Sequence, residues 1–329
     1  MKEILNLLFE HKTLTKEQAK SVLKDLTAGK FNECEMAAFL TAYCMRPITV
    51  QELSGFRETL QDLCIRIDLQ TENIIDMCGT GGDGKHTFNI STLASFVAAG
   101  AGVKIAKHGN YGVSSGCGSS NVMEALGYTF TNDDNKLKES INKSGICYMH
   151  AQQFHPAMKS VGPIRKAMGV KTFFNMLGPI INPAFPTKQV TGVYSKDVAR
   201  LYKYVLEQTA QDFIILYSLD GYDEISLTSP FLMISKEREE IVYPYDLGFP
   251  TYKHSDISGG ETVEESTKIF LNVLERKATQ AQYDVVIANA AMGILCANPQ
   301  QSIKTSIEQA NVSLYSGKAL ETLHNFLCK

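Results

Sequence analysis

One stretch in the first third of the chain constrains the fold more than any other. Residues 76–92 read DMCGTGGDGKHTFNIST, and four glycines fall within six positions, at 79, 81, 82 and 84. An apolar run precedes the stretch, and the small apolar sequence LASFVAAGAG follows it. Because glycine permits tight turns between regular elements, the pattern predicts a strand, a glycine loop and the start of a helix.

Such a loop suits phosphate, because glycines bring backbone N–H groups close to a ligand and a helix N-terminus favours negative charge. The spacing of a dinucleotide-binding fold is absent, and so is the lysine followed by serine or threonine of a P-loop. The glycine cluster by itself is also compatible with a purely structural turn. The polar segment Asn89–Thr92 that follows favours the phosphate site.

The composition of the whole chain limits which class of protein it can be and which partners and compartment it can have. It has 329 residues, of which 44% are hydrophobic and 20% charged, and its net charge is −3. We expect no nucleic-acid partner, since nothing in this balance attracts a polyanion. The eight cysteines include no CxxC pair, which indicates reduced thiols and not a zinc site. With no signal-like N-terminus and no apolar run long enough to span a membrane, we expect a cytoplasmic protein that does not bind membranes.

Residues 1–70 are predicted to be helical. Thr15 with Gln18 and Thr49 with Glu52 have the spacing of capping boxes, and Asn32 can cap a third helix. No strand pattern occurs in this region. Four short helices have a limited core, so this part of the chain is expected to pack on the remainder or on a second copy.

From about residue 73 strands alternate with helices, which predicts α/β architecture with a largely parallel sheet. The predicted strands are 74–78, 103–106, 146–150, 189–194, 212–218, 226–235 and 240–243. The predicted helices lie near 91–101, 119–127, 134–144, 156–168, 196–209, 263–277 and 302–326. The apolar run from Tyr283 to Cys296 fits either element by its period, and its length and alanines favour a helix.

Two further stretches contain groups that can bind an anion or a cation. Residues 104–120 read KIAKHGNYGVSSGCGSS, in which a lysine precedes a loop of glycines and hydroxyls that could surround phosphate. Asp223 and Glu224 follow an apolar strand and a turn. An adjacent carboxylate pair can hold a hard cation, although from the residues alone a solvated acidic turn is the commoner case.

These stretches together resemble one family. GTGGDG with TFNIST, KHGN, EALGY, the run HPAMKSVGPIRKAMGVKTFFNMLGPIINPAFPTKQVTGVYSKD and DGYDEISL are similar, in order, to the anthranilate phosphoribosyltransferase family over essentially the whole chain. The resemblance implies a small all-helical domain, residues 1–70 with a helical excursion near 160–185. It also implies a larger α/β domain, residues 73–329, with a central, mostly parallel sheet and the ligands in a cleft between the domains. A homodimer through the helical domain is expected.

The resemblance also implies the reaction and its residues. The family transfers the phosphoribosyl group of phosphoribosyl pyrophosphate to anthranilate in tryptophan biosynthesis, with two Mg²⁺ ions and no single acid or base. Carried over by position, the contacts to phosphoribosyl pyrophosphate are Gly79, Gly82, Asp83, Thr87, Asn89, Ile90, Ser91, Thr92, Lys107, His108, Gly109, Asn110, Ser114, Ser115 and Ser119. Those to anthranilate are Gly79, His108, Asn110, His155, Arg165 and Pro179, and those to magnesium are Ser91, Asp223 and Glu224.

Two alternatives remain at this point. A pyrimidine nucleoside phosphorylase shares the expected architecture, and an inactive paralogue of the fold could bind nucleic acid. The chain also departs from the family at two positions. Tyr111 stands where arginine is usual, and Asn121 stands where aspartate is usual. We interpret that double change as an ion pair replaced by a neutral contact.

Overall fold

The computed structural model describes residues 1–112, 116–209 and 211–327. The chain divides into two compact units. The helical unit consists of Met1–Ile67 and Ala151–Phe185, and the α/β unit consists of Asp68–His150 and Pro186–Lys329.

The α-helices, in chain order, are α1 (Lys2–Phe9), α2 (Lys16–Thr27), α3 (Glu33–Cys44), α4 (Val50–Asp62), α5 (Ile90–Gly100), α6 (Ser119–Ala125), α7 (Asp134–Ser144), α8 (Ala151–Phe154), α9 (Gly162–Met168), α10 (Lys196–Glu207), α11 (Val263–Leu274), α12 (Gln280–Ala297), α13 (Ile303–Tyr315) and α14 (Lys318–Leu327). The strands are β1 (Ile75–Gly79), β2 (Ile105–Gly109), β3 (Ile146–His150), β4 (Lys188–Gly192), β5 (Asp212–Ser218), β6 (Phe231–Ser235) and β7 (Glu239–Val242). Short 3₁₀ helices lie at Pro156–Lys159, Phe173–Met176, Gly178–Ile180, Pro244–Leu247 and His254–Ile257.

The helical unit begins its helices where the sequence predicts. The capping boxes of Thr15 with Gln18 and Thr49 with Glu52 are both formed, and Asn32 caps α3. The core of the unit is aromatic, with the rings of Phe56 and Phe173 stacked at a centroid distance of 4.5 Å. These side chains come from both segments of the unit, so the excursion after β3 completes the core of the first helices.

The α/β unit is built on one sheet. In the described part of the chain its strand order is β3-β2-β1-β4-β5-β6-β7. The first five strands run parallel, and β6 and β7 are added in antiparallel fashion. The order reverses beside β1, so the crevice at the carboxyl ends of β1 and β4 is the expected ligand site of such a sheet.

Helix α12 packs against the sheet and against α5. It is buried over nearly its whole length, which explains why its sequence is apolar on every side. The prediction of a helix for residues 283–296 is therefore confirmed. The predicted fold class, a small helical domain with a larger α/β domain and a mostly parallel sheet, is also confirmed. None of the helices within the described ranges is long and apolar enough to cross a membrane.

Strands 146–150 and 212–218 and helix 134–144 match their predicted bounds. Three other predictions were wrong in part. The helix predicted for 156–168 is a 3₁₀ turn followed by α9, because Pro163 cannot donate a backbone hydrogen bond. The helix predicted for 302–326 is divided at Gly317, which has a positive φ of 89°. The strand predicted for 226–235 begins only at Phe231, since residues 226–229 form polar contacts around Asp220.

The strand predicted for 103–106 was wrong at both ends, and the difference at its carboxyl end affects the site. Strand β2 extends to Gly109, because it pairs in register with β3 from Ile105 opposite Ile146 to Gly109 opposite His150. Lys107 and His108 therefore lie inside a strand and not in the loop that follows it.

Candidate active site

The carboxyl ends of β1 and β4 meet at the crevice of the sheet. Gly79 ends β1, Gly192 ends β4, and the two pair directly in the parallel ladder. A Cβ atom at Gly79 would collide with the carboxylate of Asp223, and one at Gly192 would collide with the carbonyl of Asp223. Gly192 therefore has to be glycine, because the backbone of Asp223 packs directly against it, and a side chain at Gly79 would displace the Asp223 carboxylate.

The carboxylate pair is bonded to the glycine loop and to the start of α5. The N–H of Gly81 donates to Oδ2 of Asp223 at 2.6 Å, and the N–H of Ser91 donates to Oε1 of Glu224 at 2.7 Å. The hydroxyl of Thr87 donates to the other oxygen of Glu224 at 3.4 Å. The two segments that the sequence suggests as a phosphate loop and a metal site thus form one structure.

The carboxylates lie in an environment that disfavours their negative charge. Both are buried, with 7% of Asp223 and 8% of Glu224 exposed. Burial raises the pKa of Asp223 well above its ordinary value, and the charges of Glu224 and Asp83 raise it further. The pKa of Glu224 is also raised, by burial and by Asp83. A bound cation would stabilise the charged forms of both carboxylates.

The donor set fits magnesium. Its oxygens are hard ligands, and Mg²⁺ uses one or two protein carboxylates together with water and ligand phosphates. In residues 1–112, 116–209 and 211–327, no three His, Cys, Asp or Glu side chains form a group that could hold a metal. The pair and the Ser91 hydroxyl would therefore hold the ion jointly with phosphate oxygens and water.

Lys107, which the resemblance assigns to phosphoribosyl pyrophosphate, has a buried side chain. Its side chain is 1% exposed, and Nζ donates to the backbone carbonyl of Met77 at 2.5 Å. Burial lowers the pKa of Lys107. Because Met77 belongs to β1, the ammonium of Lys107 is anchored to the strand that leads into the glycine loop.

The rest of the KHGN segment is held by backbone and side-chain contacts. His108 is buried and its N–H donates to Asp76, while the carbonyl of Asn110 accepts the N–H of Ser120 at 3.1 Å. The hydroxyl of Ser119 is bonded to that of Tyr148 at 2.8 Å. Asn110 is exposed at the end of β2, where a ligand can reach it. Ser114 and Ser115 lie outside the described residues.

The residues at the start of α5 can offer a ligand mainly backbone groups. Asn89 has a left-handed φ of 57° and its amide donates to the carbonyl of Cys117, which joins the two loops. The side chains of Ile90 and Thr92 are buried, at 0% and 1% exposure. These two predicted contact positions can therefore serve a ligand only through their backbone or by supporting the loop. In the loop itself, Asp83 accepts the N–H of Lys85 at 2.9 Å.

Tyr111 and Asn121 have separate partners. The Tyr111 hydroxyl donates to Glu124 at 3.3 Å, and the Asn121 carbonyl oxygen accepts the N–H groups of Gly112 and Gly118. The interpretation of the double change as an ion pair replaced by a neutral contact between these two side chains is therefore wrong.

The predicted acceptor residues divide between the units. Asn110 belongs to the α/β unit, and Arg165, His155 and Pro179 belong to the helical unit. The Arg165 guanidinium lies over the ring of Phe174 at 5.2 Å and donates to the side-chain carbonyl of Asn175 at 3.3 Å. Burial lowers the pKa of His155 to about 4, so its ring is neutral near pH 7. Pro179 is buried in the 3₁₀ helix Gly178–Ile180.

Sequence reasoning missed Asn289. Its amide accepts the N–H of Ile225 at 3.0 Å and donates to the carbonyl of the same residue at 2.8 Å. It thereby fixes the backbone immediately after Glu224 and lines the small cavity beside the carboxylates. The signal that could have found it is a single amide within the apolar run of α12.

Two family descriptions match the chain. The helical bundle domain of a glycosyl transferase family matches residues 2–64, and the a/b domain of a glycosyl transferase family matches residues 71–320. Among relatives, the anthranilate phosphoribosyltransferase of Flavobacterium johnsoniae is 56% identical and that of Cytophaga hutchinsonii 51% identical. Each alignment covers 98% of this chain and 98% of the relative.

Solved structures agree with these relatives. Anthranilate phosphoribosyltransferase from Thermus thermophilus matches with a TM-score of 0.91 at 30% identity, over 98% of each chain. The enzyme from Saccharomyces cerevisiae, in complex with phosphoribosyl pyrophosphate and magnesium, also gives 0.91, at 26% identity over 98% of this chain and 95% of that chain.

Proposed function

The chain belongs to the anthranilate phosphoribosyltransferase family, and we propose that it transfers the 5-phosphoribosyl group of phosphoribosyl pyrophosphate to the amine of anthranilate. The products are N-(5-phosphoribosyl)anthranilate and pyrophosphate, in tryptophan biosynthesis. The observation that supports the site most directly is the buried pair Asp223 and Glu224, bonded to the glycine loop and to the start of α5.

The difficult step is the departure of pyrophosphate from C1 of the ribose, which leaves positive charge on the sugar. Asp223, Glu224 and the hydroxyl of Ser91 would hold two Mg²⁺ ions, as the family resemblance implies. Magnesium, when bound, would neutralise the charge that develops on the leaving pyrophosphate. Backbone N–H groups of the glycine loop, aligned before the reaction, would stabilise the same charge.

The acceptor needs positioning more than activation, because an aromatic amine is already neutral near pH 7. Arg165 would bind the anthranilate carboxylate, a task suited to a planar guanidinium with paired donors. Asn110 would orient the amine for attack on C1. Burial of Arg165 against Phe174 supports this role, because a half-desolvated guanidinium gains more from a carboxylate than an exposed one does.

The assembly and location belong to the same proposal. We propose a homodimer through the helical unit, where Phe9 and Met45 are 61% and 81% exposed although both are large and apolar. We also propose that the enzyme works in the cytoplasm, since the seven cysteines that lie in the described ranges are free.

The direct test is the fluorescence of anthranilate on mixing with phosphoribosyl pyrophosphate and Mg²⁺. Consumption of the free amine should lower the signal, and omission of either partner should prevent the change. A signal that stays constant with all components present would rule the proposed reaction out.

A further inference from the structure

The glycine loop contains a lysine, Lys85, that is not among the residues that the family resemblance assigns to the ligands. Lys85 follows Gly84 and is partly exposed. The lysine that the sequence assigned to phosphate, Lys107, has its ammonium bonded to the Met77 carbonyl inside the unit. Lys85 is therefore the lysine that the glycine loop itself can offer to a ligand.

Lys85 lies beside the turn that precedes the carboxylate pair. Its Nζ is 4.8 Å from the centroid of the Tyr222 ring, and Tyr222 immediately precedes Asp223. The side-chain carbon Cε would be 3.9 Å from a Cβ at Gly221, so the lysine stem runs along the turn that presents the pair. The backbone N–H of Lys85 is fixed by Asp83.

The aromatic ring beneath Lys85 is itself held in place. The Tyr222 hydroxyl is bonded to Nδ1 of His254 at 2.9 Å, and the two rings stack at a centroid distance of 5.7 Å. Tyr222 is only 5% exposed. The ring is therefore a fixed support, and the long lysine side chain is the part that can move.

The ammonium is available to a ligand. Among the ion pairs found in the described ranges, none includes Lys85. A cation–π contact at a partly exposed site is weaker than a charge-assisted bond to a phosphate oxygen. A phosphate near the carboxylate pair would therefore draw the ammonium from the ring.

We propose that Lys85 is a ligand-binding residue that donates to the pyrophosphate group of the phosphoribosyl donor, and that Tyr222 holds its ammonium beside Asp223 until the ligand binds. The proposal rests on the proposed function for the identity of the donor. The role of Lys85 itself requires only that a magnesium-bound diphosphate binds at the carboxyl end of β1.

The test compares Lys85→Met and Lys85→Arg with the unchanged chain. The matched control is Lys304→Met, which removes one exposed lysine from α13. For each protein the KM of phosphoribosyl pyrophosphate and of anthranilate is measured, and binding of inorganic pyrophosphate with Mg²⁺ is measured by calorimetry. Loss of one charge-assisted bond predicts that Lys85→Met raises the KM of phosphoribosyl pyrophosphate and the Kd of pyrophosphate about tenfold or more.

The KM of anthranilate should not change, Lys85→Arg should recover most of the affinity, and Lys304→Met should equal the unchanged chain. If Lys85→Met binds pyrophosphate as tightly as the unchanged chain, Lys85 is not a ligand residue and the inference is wrong. Calorimetry needs no turnover. An unchanged chain that binds magnesium pyrophosphate but leaves anthranilate intact therefore contradicts the proposed function alone.

Discussion

Two adjacent carboxylates are the residues on which the site depends. Removing the charge of either should weaken magnesium binding, because a neutral amide is a poorer ligand for Mg²⁺ than a carboxylate. We expect Asp223→Asn or Glu224→Gln to lower turnover at least about tenfold and to raise the Mg²⁺ concentration needed for half-maximal rate.

A magnesium titration of initial rate measures both effects. Glu240→Gln, an exposed carboxylate on β7, is the control and should behave as the unchanged chain. If turnover of the two variants is unaltered across the titration, the two carboxylates do not bind the metal.

Asn175 is expected to position Arg165. Its side-chain carbonyl accepts from Nη2 of Arg165 at 3.3 Å and from the N–H of Thr172 at 3.1 Å, so it links the guanidinium to the backbone. Asn175→Ala should raise the KM of anthranilate about fivefold by releasing one such bond. The KM of phosphoribosyl pyrophosphate should stay the same.

Steady-state kinetics with each substrate varied in turn gives both constants. Arg165→Ala serves as the reference, and its effect on the KM of anthranilate should be larger. Equal increases in both KM values for Asn175→Ala would mean that the substitution disturbs the fold and not the orientation of Arg165.

At the scale of elements, helix α4 is tied to its neighbours by one buried residue. Glu52 is 0% exposed, forms the capping box with Thr49, accepts the N–H of Leu14 and pairs with Arg46. Burial alone would raise the pKa of Glu52, but the bonds from Arg46 and these backbone groups lower it overall. The carboxylate is therefore charged and satisfied at neutral pH.

Glu52→Gln should destabilise the helical unit by about 3 kcal/mol, because it leaves the buried guanidinium of Arg46 without its charged partner. Glu58→Gln is the control: Glu58 pairs with Lys16 and Lys20 at the surface, and its loss should cost less than about 1 kcal/mol. Urea unfolding followed by circular dichroism compares the two. Equal losses of unfolding free energy would show that the buried ion pair stabilises the unit no more than the surface ion pairs do.

At the scale of the whole molecule, the helical unit is small and exposes large apolar side chains. We expect sedimentation at micromolar concentration to give twice the chain mass of 36.4 kDa. Replacing both Phe9 and Met45 by glutamate should reduce the mass to that of one chain, since paired carboxylates cannot be buried in an apolar contact. Circular dichroism should confirm that the double variant keeps its helices.

A single-chain mass for the unchanged protein would contradict the dimer. An unchanged mass for the double variant would place the interface away from Phe9 and Met45.

The sequence by itself determined the local features. Capping boxes at Thr15 and Thr49 involve residues three positions apart, and the helices begin there as predicted. The glycine loop and the β–α alternation are likewise properties of short segments, and the long ordered resemblance specified the family and the fold. What these features share is that neighbouring residues along the chain decide them.

Only the tertiary structure decided which groups meet. The pairing of β2 with β3 placed Lys107 inside a strand, with its ammonium bonded to the carbonyl of Met77 in β1, which no local pattern could show. The pairing of Gly79 with Gly192 made room for Asp223, which lies far away in the chain. The physical reason is that strand register and burial depend on contacts between distant segments, and those contacts set the charges and distances of the site.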